Sequence, residues 1–198
     1  MMNSVLIKNY PAPELDRGEI LRYAMCKETD DISSMIDECV NECVPRLCYK
    51  VCYRRFELKR DGEWLDLGFV KTKSEALRRN LRGCDEVVVF AATVGLYMDR
   101  LIARYTHTSA AKSLIMCAVG SERVESLCDA FERDISKEAK SVGKNTRPRF
   151  SPGYGDLPLE LQSDIFRALA PEGKIGISLN QSLLMSPSKS VTAIIGIG

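Results

Sequence analysis

Histidine is almost missing from this sequence: His107 is the single example among 198 residues. One imidazole leaves no Ser-His-Asp constellation, and His107, in "RYTHTSA", is expected at the surface or as a helix cap. An excess of charge is missing too. The 28 Lys and Arg residues offset 27 Asp and Glu to a formal net charge of +1, so no global field favours nucleic acid or an anionic membrane as partner. The local basic spots, Arg54-Arg55, Lys59-Arg60 and Arg78-Arg79 with Arg82, are expected on solvated faces. No apolar run is long enough to span a bilayer. The start, "MMNSVLIKNYPAPELDRGE", lacks the basic residues, apolar stretch and small-residue cleavage site of a secretory signal. The expectation is a cytoplasmic protein.

In that compartment eight cysteines mean thiols rather than a disulfide framework. Four of them, Cys39, Cys43, Cys48 and Cys52 in "DECVNECVPRLCYKVC", could in principle hold zinc or an iron–sulfur cluster, yet the tight C-x2-C knuckle is missing. Cysteine also behaves as a small hydrophobe. The expected role is therefore buried structure.

With 45% hydrophobic and 28% charged residues, the composition is that of a globular domain with a real core. Asp16 can cap a helix over "RGEILRYAMC", and Ile32, Met35, Ile36, Cys39, Val40 and Cys43 recur at helical spacing until Pro45. The period then changes to two. "LCYKVCYRRFELKRDGEWLDLG" predicts a pair of strands turning at Asp61-Gly62, and "KSEALRRNLRG" a short helix closed by Gly83. "DEVVVFAATVG" reads as a strand buried on both faces. Three apolar stripes follow, the last through Val124, Leu127, Cys128, Phe131 and Ile135. Glu125 flanks that stripe, where a carboxylate either points into a pocket or, as burial statistics favour, meets solvent. "LPLELQSDIFRALAPEG" predicts another amphipathic helix, and "KIGISLNQSLLMSPSKSVTAIIGIG" two strands joined at "SPSK". With no repeat or linker, residues 1–198 are expected to form one α+β domain.

The stretch "RPRFSPGYGDLPLELQ", residues 147–162, is conformationally constrained. Pro148 and Pro152 restrict the backbone while Gly153 and Gly155 permit positive φ. Such a loop, carrying an arginine, could hold an anion or carboxylate through the paired hydrogen bonds of a guanidinium. It could equally be a rigid crossover.

This segment resembles the activation domain of cobalamin-dependent methionine synthase, a family with an R-x-x-P-G-Y motif and, downstream, a Leu-Thr-Glu-Ser…Met…Pro…Ser-Val segment. The present residues are Arg149, Pro152, Gly153 and Tyr154, then Leu179, Asn180, Gln181, Ser182, Met185, Pro187, Ser190 and Val191. "VVVFAATVG" and "AVGSERVESLCDAF" look like the family's buried strand and long helix, so the resemblance covers most of residues 85–198. It implies a bent domain with a twisted antiparallel sheet and flanking helices. It also implies binding of S-adenosylmethionine, whose methyl group restores an inactive cobalamin once an electron arrives from a flavodoxin- or ferredoxin-type donor. By the same resemblance Arg149, Pro152, Gly153, Tyr154, Glu125 and Asp16 are the expected ligand-binding residues. Cobalamin would be carried by a separate corrinoid-bearing methionine synthase chain, because no Asp-x-His-x-x-Gly motif is present. The second reading is a docking subunit for a corrinoid methyltransferase that no longer binds the ligand. Where the family has Pro-Ala after the motif tyrosine, this chain has Gly155-Asp156.

Overall fold

The computed structural model describes residues 4–198. Strand β1 (Leu6–Tyr10) leads through a proline-broken strap into helices α1 (Arg17–Ala24) and α2 (Asp30–Cys43), and a 3-10 turn over Val44–Arg46 ends α2 at Pro45. Strand β2 (Tyr49–Glu57) is followed by the short strands β3 (Lys59–Asp61), β4 (Trp64–Asp66) and β5 (Lys71–Thr72) and by helix α3 (Glu75–Asn80). Next come β6 (Glu86–Thr93), α4 (Tyr97–Thr106) and the 32-residue α5 (Ala110–Ser141). The chain closes with α6 (Leu161–Leu169), α7 (Pro171–Ile175), β7 (Ser178–Leu179), β8 (Met185–Ser186) and β9 (Ser190–Ile197).

Four strands form an all-antiparallel sheet in the order β1-β2-β6-β9. Because side chains alternate along a strand, β6 feeds two cores. Val88, Phe90 and Ala92 join Ile20, Ile36, Leu127 and Phe131 from α1, α2 and α5 on one face; Val87, Val89 and Ala91 join Leu77, Leu161 and Ile165 from α3 and α6 on the other. Phe131 packs its ring 4.8 Å from Phe90 and 5.0 Å from Tyr53, fixing α5 across the sheet.

The α+β class and antiparallel sheet are as expected, with the predicted helices and central strand in place. Several details differ. The strand β1 went unpredicted, since five residues ahead of two prolines carry little periodicity. Asp61-Gly62 turns only the small β3–β4 pair; the long β2 pairs instead with β1 and β6. Of the four clustered cysteines, Cys39 and Cys43 lie in one core, Cys52 lies in the other across the sheet, and Cys48 is exposed, which corrects the expectation that all are buried. Burial pushes the thiols of Cys39, Cys43 and Cys52 up to about 11, about 12 and about 11. Of the basic spots, Lys59, Arg60, Arg79 and Arg82 are exposed as expected, and some are also tied down: Arg60 donates to the carbonyls of Leu81 and Cys84, Arg78 to that of Gly62, and Arg55 bridges Glu86 and Glu138. His107 is the exposed C-cap of α4.

Candidate functional site

Residues 145–150 lie along the outer edge of β9. Asn145 and Gly198 exchange backbone hydrogen bonds, as do Phe150 and Ile194, and the Arg147 amide donates to Gly196. An irregular strand thus covers an edge that would otherwise expose unpaired backbone groups. Beyond it the chain folds back on itself through Gly153 at φ +89° and Gly155 at φ +57°, conformations that favour glycine. The Gly153 amide donates to the Leu157 carbonyl, Pro152 and Leu157 are buried, and Tyr154 is left 68% exposed at the tip.

Asp156 latches this loop to α3. Its carboxylate accepts from the Ser74 hydroxyl at 2.5 Å and from the amides of Glu75 at 2.7 Å and Ala76 at 3.1 Å. Those donors lower its pKa to about 2. A methyl group on Gly155 would stand 2.9 Å from the Ala76 side chain, so only glycine lets the loop approach this closely.

The loop delivers Arg149 to the flank of α5. Its Nη1 donates to Asp129 and Glu132, each at 2.6 Å, its Nη2 donates to Glu125 at 2.7 Å, and its amide donates to Glu132 at 3.0 Å. Burial pulls the guanidinium pKa down, but the hydrogen bond it donates to Glu125 and the other negative groups nearby outweigh it and hold it above its ordinary value. Three side-chain donors are engaged, which leaves Nε–H and one Nη2–H without an acceptor among the described residues. Two free donors on one guanidinium suit a carboxylate.

Glu125 and Arg149 form the wall between two cavities. One, about 410 Å³, is lined by Pro148, Phe150, Ser151, Tyr154 and Val191 together with this pair. The other, about 230 Å³, brings in Asp16, Tyr23, Glu122 and Asp129. Asp16 accepts the Glu19 amide at 3.1 Å as the N-cap of α1 and leaves its second oxygen unengaged among the described residues. Arg149 and Glu125 thus line both cavities, Tyr154 only the first and Asp16 only the second, while Pro152 and Gly153 shape the loop that carries Tyr154. Glu125 does not simply meet solvent: it is 37% exposed and paired.

Sequence reading missed Asp129, Glu132, Glu122, Arg123 and Asp156. The first two were within reach, since residues 125, 129 and 132 recur at i, i+4, i+7 and must share one face of α5. Glu122 and Arg123, about 1% exposed each, carried no such signal.

An α+β domain with an antiparallel four-stranded sheet, a long helix across it and a proline-glycine loop clamped to that helix is a recognisable architecture. It is the fold of methionine synthase reactivation domains. A solved structure described as the MetH reactivation domain bound to AdoHcy superposes with a TM-score of 0.77 at 13% identity, covering 98% of this chain and 78% of that one. No family model and no curated protein sequence matches the chain.

Proposed function

We propose that this protein binds S-adenosylmethionine in the cleft around Arg149 and supports reductive methylation of a cobalamin held by a separate corrinoid-bearing methionine synthase chain. The observation that carries the proposal is the Arg149–Glu125 pair lining both cavities, in a fold of which one solved structure is described as bound to AdoHcy. The ligand class offers a carboxylate, an ammonium, ribose hydroxyls and an adenine. The two free donors of Arg149 would take the carboxylate, Glu125 and Asp16 the ammonium or hydroxyls, and Tyr154, beside Phe150 and Val191, the adenine. The glycine backbone at 153 lets the loop close on it.

The protein's contribution is orientation rather than acid–base chemistry. The sulfonium already carries its leaving group, so the methyl needs only alignment with the reduced corrinoid. A flavodoxin- or ferredoxin-type donor in the cytoplasm would supply the electron. Residues 1–198 act as one domain in this reading.

Isothermal titration with S-adenosylmethionine tests it, with S-adenosylhomocysteine and the Arg149→Ala protein as comparisons. Saturable binding that the substitution abolishes is the expected result. Absence of heat at millimolar ligand overturns the proposal in favour of a docking subunit without ligand.

A further inference from the structure

The strap between β1 and α1 contains Pro11 and Pro13 and belongs to no helix or strand. Its backbone groups therefore lack ladder partners. Two side chains of α5 supply them. Arg123 donates from Nη1 to the Pro13 carbonyl at 2.7 Å and from Nη2 to the Glu14 carbonyl at 2.8 Å. Glu122 accepts the Asp16 amide at 3.1 Å and the Ser126 hydroxyl at 2.6 Å on Oε1, while its Oε2 receives Arg123 Nε at 2.5 Å.

Both side chains are about 1% exposed. Burial of two charges is costly, and an apolar pair of similar volume often stabilises a fold as well or better. What an apolar pair cannot do is fix three strap residues in one register. The residue at the end of that register is Asp16, which lines the cleft with Glu125 and Arg149.

We infer that Glu122 and Arg123 are positioning residues that hold Asp16 at the ligand cleft, with Asp16 the carboxylate that touches the ligand. The inference rests on the function proposed above. Glu122 also lines the smaller cavity, whereas Arg123 lines neither, so the effect of Arg123 on binding must pass through the strap and Asp16.

That route gives a double-substitution test. The dissociation constant for S-adenosylmethionine is measured for the parent, Asp16→Ala, Arg123→Lys and the protein carrying both. Lysine keeps the charge beside Glu122 but cannot reach both carbonyls. Arg123→Lys is expected to weaken binding about tenfold in the parent and hardly at all once Asp16 is alanine, a non-additivity typical of residues acting as one unit. The combined Glu122→Gln, Arg123→Met protein leaves no unpaired buried charge and, compared with Glu122→Gln alone so that the cavity-lining change cancels, should repeat the pattern; thermal unfolding confirms that each variant is folded. Additive losses, or a folded Arg123→Lys protein with unchanged affinity, overturn the positioning role while leaving ligand binding intact. A parent protein that binds no ligand overturns both.

Discussion

Arg149 illustrates how one residue can serve fold and site together. A loop arginine that only met a ligand would cost about 1 kcal/mol or less to remove. The observed arginine bridges three carboxylates on adjacent turns of α5, and its loss leaves them to repel one another unscreened. Arg149→Ala should therefore destabilise the protein by about 1–3 kcal/mol as well as abolish binding, with Arg149→Lys recovering much of the stability, as chemical denaturation would register. Asp156 gives a pH signature. Its folded-state pKa, about 2, lies below the ordinary aspartate value, so the stability it contributes is present above about pH 4 and is lost as the pH falls toward 2. Asp156→Asn should flatten that part of the acid-stability curve, a change visible by circular dichroism between pH 5 and 2; an unaltered curve would show that the latch contributes nothing.

At the scale of elements, α5 and β9 do most of the positioning. The apolar stripe of α5 was legible because a period of 3.6 survives over 32 residues, and it buries Val124, Leu127, Cys128, Phe131 and Ile135 as expected. Its second function was legible only in part: the spacing puts carboxylates 125, 129 and 132 on one face, but that face looks like any solvated one until residue 149 is known to lie beside it. Strand β9 shows the reverse. It reads as an apolar run, yet Gly196 sits inside it because a Cβ there would come within 2.6 Å of Leu81 and 2.7 Å of the Cys84 sulfur. Gly196→Ala should cost about 1–3 kcal/mol through overpacking, despite the better strand propensity of alanine. A thermal midpoint unchanged from the parent would contradict that packing.

Across the whole molecule charge is nearly balanced, but not within the cleft. Asp16, Glu19, Glu122, Glu125, Asp129 and Glu132 gather there against Arg22, Arg123 and Arg149. Such a cleft favours a cation, and S-adenosylmethionine carries one positive charge more than its demethylated product. If it is the ligand, it should bind about tenfold more tightly than S-adenosylhomocysteine at low salt, and the ratio should shrink as salt is raised to 0.5 M. Equal affinities at all ionic strengths would show that the excess charge does not reach the ligand.

The sequence by itself determined the α+β class, most helices, the central strand and the constrained loop, since these follow from local period, capping and turn chemistry. Through a resemblance of motifs it also pointed to Arg149, Tyr154, Glu125 and Asp16 as candidate ligand residues. Only the tertiary structure decided which of them meet. The order β1-β2-β6-β9 sets strands beside one another that are far apart in the chain, and the approach of residue 149 to α5 depends on the edge of β9. The bonds from Arg123 to Pro13 and Glu14 join residues more than a hundred positions apart. Pairings of that kind arise from packing two cores against one sheet, and no local pattern records them.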